Sequence, residues 1–275
     1  MIQIIDICKL LIETRGYDFT GYREPMLNRR LEKRLFATKQ NNLTDYYNYI
    51  LQNDDEIDNI IDVLTINVSH FFRNPLAFEV VKNEIFPKII LKKKETSNNI
   101  IRIWSAGCSE GQEAYSLSIA LDEYLKEEKQ NFEQFIFATD IDKKALKKAS
   151  DGIYKTQSLY NVKLGTLKNY FIEEDNCYKV SNEIKSQVKF SIFDLTDKNR
   201  NYPVESIYGG FDLVSCRNVL IYFNINAQEV IMNKLYNSLN IDGYLFLGES
   251  EVPSSKYNLK FVKETSSCKV YKKIR

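Results

Sequence analysis

The chain has 275 residues, 44% of them hydrophobic, which is enough for two domains with separate cores. Lys plus Arg (38) nearly balances Asp plus Glu (37), so the net charge of +1 gives no whole-molecule reason to expect nucleic-acid or membrane binding; electrostatic recognition must be local. Cys8, Cys108, Cys177, Cys216 and Cys268 are scattered and lack the C-x-x-C spacing of zinc or redox sites, so reduced cytosolic thiols are expected and no metal.

From the N-terminus, Met1 to Glu13 is partly apolar, but Asp6, Lys9 and Glu13 interrupt it, so neither a signal peptide nor a membrane span is expected. Met26–Phe36, Leu43–Leu51 and Glu56–Ile66 carry apolar residues at three- and four-residue spacing, with Thr44 and Asp54 as N-caps, which predicts a small helical bundle. Arg23, Arg29, Arg30, Lys33 and Arg34 crowd its first predicted helix against only Glu24 and Glu32, and Arg30, Lys33 and Arg34 share a face. Composition alone reads this as a solvated basic face. The stretch Asn67–Pro75, N-V-S-H-F-F-R-N-P, reads as a helix end: Ser69 caps, Phe71 and Phe72 pack into an interdomain seam, Arg73 is solvated, and Pro75 stops the turn. His70, the single histidine, has no candidate Ser or Cys partner and is given no catalytic duty. The polar run 91–99, L-K-K-K-E-T-S-N-N, reads as a linker that closes a helical domain of residues 1–90.

Beyond it, Ile100–Tyr115, I-I-R-I-W-S-A-G-C-S-E-G-Q-E-A-Y, is a strand, a small-residue loop and a helix start. Gly107 and Gly111 let the backbone bend sharply and approach a ligand that faces free helix N–H groups. The buried run Phe135–Asp140 ends in a carboxylate, where open α/β folds grip ribose hydroxyls. Taken singly, each feature also fits a plain strand-to-helix connection and a cap for the helix Lys143–Ser150. The spacing G-x-x-x-G departs from the dinucleotide pattern, and Glu113 near the helix start disfavours phosphate while suiting an ammonium or a ribose, which favours S-adenosylmethionine over NAD. Further strands are expected at Val188–Phe193, Phe211–Ser215 and Tyr244–Gly248, with Leu259–Lys263 and Ser267–Lys272 as an antiparallel edge hairpin. Between Gly152 and Gln187 the alternation lapses into short strands such as Cys177–Val180.

Five segments occur in a family's order: Asn67–Pro75, Trp104–Ser116, Ala138–Asp142 (A-T-D-I-D), Cys216–Phe223 (C-R-N-V-L-I-Y-F) and Leu247–Glu251 (L-G-E-S-E). On these the chain resembles the chemotaxis receptor methyltransferases (CheR), which methylate glutamate side chains with S-adenosylmethionine. The resemblance implies an α/β fold, with a small N-terminal all-helical domain followed by a Rossmann-like class I methyltransferase domain over residues 100–275. It implies a mostly parallel seven-stranded sheet there and a small inserted β-subdomain at about 157–187. The helical domain would serve substrate recognition and act as a lid on the cofactor.

The resemblance also implies site residues. Asn67, Ser69, Arg73, Gly107, Glu113, Asp140, Asp194, Leu195, Arg217 and Asn218 align with cofactor contacts, Glu113 toward the methionine moiety and Asp140 toward the ribose. Arg73 and Tyr222 align with residues near the transferring methyl, and Arg29, Arg30, Lys33 and Arg34 with a basic helix that meets glutamate-rich receptor helices. At Asp194 the family usually has Asn, Glu110 replaces a common Thr, and Gln112-Glu113-Ala114 replaces Glu-Glu-Pro. The glycine-containing loop by which some relatives hold a receptor C-terminal peptide is not found around Glu173–Ser181, so weak or absent tethering is expected. The expected protein is a cytoplasmic monomer. It takes S-adenosylmethionine, releases S-adenosylhomocysteine, and acts on the cytoplasmic helical region of chemoreceptors, with no nucleic acid and no membrane insertion. Two other readings stand beside this one: a methyltransferase for another substrate, such as nucleic acid or a small molecule, and a non-catalytic S-adenosylmethionine-binding or signalling module. Against the former, Arg217-Asn218-Val219-Leu220 stands where amino-methylating nucleic-acid enzymes carry Asn/Asp-Pro-Pro-aromatic.

Overall fold

The computed structural model describes residues 2–206 and 210–275. They form two compact units: the described residues through Ile66 with Tyr222–Gln228, and Asn67–Ile221 with Glu229–Arg275.

The first unit contains α1 (Ile4–Arg15), α2 (Glu24–Thr38), α3 (Leu43–Gln52) and α4 (Asp54–Leu64). Helix α1 ends at Gly16, whose φ of +76° is the left-handed geometry that lets its N–H reach the carbonyl of Ile12. Asn42 caps α3 by accepting the Asp45 N–H, and Asn53 precedes α4, so the expected caps Thr44 and Asp54 are instead early helical residues. Asp54, Asp55 and Glu56 place negative charge on the positive end of the α4 dipole. The core joins Ile7, Leu11, Phe19, Leu31, Tyr46, Ile50, Ile57, Ile60 and Leu64. Residues 222–228 join this unit: the Arg23 N–H donates to the Tyr222 carbonyl at 2.9 Å, and Tyr22 packs on Phe223 with ring centroids 4.5 Å apart.

The second unit begins at Asn67, not after residue 99. Helices α5 (Pro75–Val80) and α6 (Phe86–Glu95), joined by a π-helical turn, bury Phe78, Val81, Ile85, Phe86 and Ile89 with Ile101 and Ile103 of the sheet. The expected linker 91–99 is thus the end of α6 and the turn after it. Its polarity misleads because Lys93 is buried and pairs with Asp212 at 2.8 Å. Pro75 begins α5 and does not end a helix, because the first turn needs no proline N–H.

The remaining elements are β1 (Ile100–Ala106), α7 (Gln112–Glu127), β2 (Glu133–Asp140), α8 (Lys143–Asp151), β3 (Ile153–Lys155), α9 (Leu164–Tyr170), β4 (Phe171–Glu174), β5 (Cys177–Val180), α10 (Asn182–Gln187), β6 (Val188–Ile192), β7 (Phe211–Cys216), α11 (Ile225–Ser238), β8 (Leu239–Leu247), β9 (Phe261–Lys263) and β10 (Val270–Lys273). Seven strands form one sheet in the order β6-β2-β1-β7-β8-β10-β9. The first five are parallel, and β10 runs antiparallel to both β8 and β9, as the expected edge hairpin requires. The insertion is a second sheet, β3-β5-β4, that starts directly after Gly152. Asp175 and Asn176, both at positive φ, turn β4 into β5, since such a pair matches the twist of a two-residue hairpin. The order reverses between β1 and β7, so the crevice beyond the carboxyl ends of these strands is where an open α/β sheet takes its ligand.

Candidate functional site

Ser105 on β1 and Ser215 on β7 are register partners at that reversal, and both hydroxyls donate to one Glu113 oxygen, at 3.0 and 2.7 Å. The small-residue loop supplies Glu113 by turning straight into α7, with Gly107 and Gly111 at φ of +75° and +89°. What these glycines avoid, however, is protein: a Cβ on Gly107 would lie 2.6 Å from a Val219 methyl, and one on Gly111 2.8 Å from Ala149. The second Glu113 oxygen has Arg217 Nη1 at 3.5 Å, too far for a good hydrogen bond, and so keeps accepting capacity.

Asp140 ends β2, where its two oxygens accept the backbone N–H groups of Ser109 (2.7 Å) and Asp142 (3.0 Å). Burial raises its carboxyl above the ordinary aspartate value, partly opposed by these N–H bonds. Two N–H bonds leave lone pairs on both oxygens for further donors. Asn67 joins this corner: its amide donates to Asp142 at 2.5 Å, and its oxygen accepts the Ser109 hydroxyl at 3.3 Å. The cap of α8 is Asp142, which accepts from Lys144 and Ala145, and not Asp140.

Arg217 follows β7, buried, its guanidinium lying 4.5 Å from the Phe246 ring centre and 5.1 Å from that of Phe78. Its Nη2 donates to the Arg73 carbonyl at 2.7 Å, while its Nε is buried without a partner. Arg73 itself is half-buried between two left-handed residues, Phe72 (φ +50°) and Asn74 (φ +62°). The strap that carries it is fastened at several points: the Phe72 N–H donates to Ser116 Oγ at 2.8 Å, the Asn74 amide to Glu249, and Phe71 packs edge-on against Tyr154 and Phe171. Phe71 and Phe72 therefore pack inside the second unit, Phe72 on Phe78. Ser109 (φ +52°) and Asn218 (φ +60°) also take the left-handed backbone, as do turn residues elsewhere such as Lys39, Lys129 and Asp242.

Asp194 closes a turn by accepting both the N–H and the hydroxyl of Thr196, and Leu195 is buried. The Phe193 N–H donates to the Asp140 carbonyl at 3.0 Å, which holds this loop beside the β2 tip. Lys234, only 2% exposed, donates to the carbonyls of Asp197 and Arg200 and pins the loop from below. Ser69 is half-buried in the irregular stretch after Asn67. The His70 ring lies edge-on to Tyr160, with Nδ1 unpartnered. Burial pushes the thiols of Cys108 and Cys216 well above their ordinary value, so neither is a thiolate nucleophile at neutral pH.

In the helical unit Tyr222 is half-buried against the core. Of the basic helix, Arg29 and Lys33 are exposed and Arg30 is half-buried. Arg34 departs from the expected recognition face: its guanidinium binds Glu56 through Nε (2.8 Å) and Nη2 (2.6 Å), and the Tyr46 hydroxyl donates to the same carboxylate at 2.6 Å. Ser105, Ser215, Asp142, Lys234 and Glu251 were not among the expected site residues, although Ser105, Asp142 and Glu251 lie in segments the sequence singles out.

Two acidic acceptors at a sheet reversal fit the hydroxyls and ammonium of an amino-acid-bearing nucleoside. Fold and site together define an S-adenosylmethionine-dependent methyltransferase. Residues 3–65 match the CheR methyltransferase all-alpha domain and residues 67–269 the CheR methyltransferase SAM binding domain. The chain is 31% identical over 263 residues to a chemotaxis protein methyltransferase of Borreliella burgdorferi, covering 94% of this chain and 91% of the relative. It is 31% identical over 253 residues to chemotaxis protein methyltransferase 2 of Vibrio cholerae, covering 90% and 85%. With chemotaxis protein methyltransferase 1 of Pseudomonas aeruginosa the identity is 37% over 199 residues, covering 70% and 68%. The chain belongs to the CheR methyltransferase family.

Proposed function

We propose that this protein methylates glutamate side-chain carboxylates of chemoreceptors in the cytoplasm, as a monomeric protein-glutamate O-methyltransferase. The observation that carries the reading is Glu113, set over the β1–β7 reversal by Ser105 and Ser215 with an oxygen to spare. Asp140 would take the ribose hydroxyls and Glu113 the ammonium, with Asn67, Ser69, Gly107, Asp194, Leu195, Arg217 and Asn218 completing the cradle. When bound, S-adenosylmethionine supplies an electrophilic methyl on a sulfonium and leaves as S-adenosylhomocysteine.

A glutamate acceptor has a pKa of ~4.3 and is ionised at neutral pH, so no general base is needed. That suits a site whose thiols are held protonated by burial. The work left to the protein is orientation and exclusion of water, which can lower a barrier by roughly 7–11 kcal/mol. Arg73 would hold the incoming carboxylate by charge, and Tyr222 would offer a hydroxyl or ring face near the sulfonium. Arg29 and Lys33, exposed on α2, would steer an acidic receptor helix. Among the described residues no helix is long and apolar enough to cross a membrane.

Incubation with labelled S-adenosylmethionine and receptor-containing membranes tests the reading. It expects alkali-labile label on receptor protein, since a carboxyl methyl ester is released by base. Label stable to base, or none, would overturn it.

A further inference from the structure

Glu251 lies four residues past the end of β8 and is only 3% exposed, yet its carboxylate meets peptide N–H groups where a cation would be the usual partner. One oxygen accepts the N–H of Asn218 and of Gly248, both at 2.8 Å; the other accepts Val219 at 2.9 Å and Ile221 at 3.3 Å. Four donors converging on one buried carboxylate make a nest of the kind that normally binds a free anion. Here the anion is built in, and it joins the loop after β7 to the end of β8.

The surroundings are shaped to that contact. A Cβ on Gly248 would fall 2.6 Å from Glu251 Oε2 and 2.8 Å from the Asn218 nitrogen, so only glycine lets the carboxylate and the loop close together. Asn218 is held at φ +60°, a strain that four charge-assisted bonds can sustain. Val219, gripped through its N–H, presses a methyl into the space above Gly107, where an added Cβ would lie 2.6 Å away. One carboxylate therefore sets two loops at once, the Arg217–Ile221 loop and, through Val219, the Gly107–Gly111 loop that launches Glu113.

We propose that Glu251 is a positioning residue of the donor site, fixing the β7 loop and the β1 loop in mutual register. The inference rests on the proposed function, because it is that reading which places the donor between these loops. It predicts that Glu251→Gln, which turns an amide toward two N–H donors, weakens S-adenosylhomocysteine binding about tenfold. Gly248→Ala, which pushes the same partners apart from the other side, should do likewise, and the double variant should be no weaker than about the worse single one.

Calorimetry on the full-length protein well below its melting temperature separates positioning from mere fold support. Stoichiometry reports the folded fraction and the dissociation constant reports the geometry of what is folded. The expected result is a weaker constant at unchanged stoichiometry for both variants. A reduced stoichiometry with an unchanged constant, or no change in either, would overturn the inference while leaving the proposed function standing. Wild-type protein that takes up no S-adenosylhomocysteine would overturn the proposed function and this inference with it.

Discussion

Glu56 in the helical unit and Glu113 in the sheet unit each face an arginine, and they differ in how fully their neighbours satisfy them. Glu56 takes both arms of Arg34, at 2.8 and 2.6 Å, together with the Tyr46 hydroxyl and the Asn59 amide. Burial alone would raise its carboxyl, but hydrogen bonds from Arg34 and Tyr46 outweigh that and hold it below the ordinary value. Glu113 takes two serine hydroxyls on one oxygen and has its arginine 3.5 Å from the other. The closed carboxylate is a strut; the open one is a binding group. Proximity of opposite charges does not distinguish the two, whereas the hydrogen-bonding capacity left over does.

The largest effect that sharpens this contrast is expected at Arg34. Removing it leaves the buried Glu56 charge with no cation and only the Tyr46 and Asn59 hydrogen bonds, so Arg34→Ala should cost about 3–5 kcal/mol of stability. Urea unfolding would measure it, and Arg34→Met with Glu56→Leu should recover part of the loss, because no buried charge is then left unpaired and the Tyr46 hydroxyl is the only buried donor that loses its acceptor. An Arg34→Ala protein of normal stability would show the strut to be idle.

The two units should also respond oppositely to acid. Glu56, with its folded value depressed, contributes stability above its ordinary value of ~4.3, which is lost as pH falls through the folded one. Asp140, with its folded value raised by burial, contributes in the opposite sense: its stabilisation is present below ~3.9 and lost as pH rises through the folded value. Ionised Asp140 is therefore held at a cost at neutral pH, and ribose hydroxyls that donate to it offset that cost. S-adenosylhomocysteine affinity should fall as pH drops through the raised value, by up to about tenfold per unit, and the Asp140→Asn profile should be flatter. Identical pH profiles for the two proteins would remove Asp140 from the binding set.

The smallest effect belongs to the exposed basic residues. Charge reversal at Arg29 and Lys33 should raise the receptor KM about three- to tenfold at low salt, and the difference should shrink near physiological ionic strength, where screening acts beyond ~8–10 Å. Donor affinity should not move. Methylation rates indifferent to both salt and reversal would remove the steering role.

The sheet was legible because its central strands are apolar runs, and the places of Asp140, at the end of β2, and Glu113, in the first turn of α7, were legible because an apolar run breaks just before each helix. Lys93 misled the domain boundary: a charged run reads as linker, and nothing local tells that Asp212, far along the chain, buries one of its lysines. Arg34 misled the recognition face for the same reason, since Glu56 reaches it from another helix. Residues 222–228 joined the helical unit through backbone bonds to Gly21 and Arg23, which carry no side-chain signature. Glu251 was visible as a letter in a motif but not as a role, because its partners are peptide N–H groups.

The most direct test of the central claim, that spare capacity at Glu113 and Asp140 makes this sheet reversal a donor site, is a titration of S-adenosylhomocysteine into wild-type, Glu113→Ala and Asp140→Ala proteins beside Arg34→Met/Glu56→Leu. The account predicts uptake by the wild type and the helical-unit pair variant alike, and a loss of about 1.5–3 kcal/mol or more for each single site variant, as for a hydrogen bond to a charged group. Undiminished affinity in both Glu113→Ala and Asp140→Ala would contradict it.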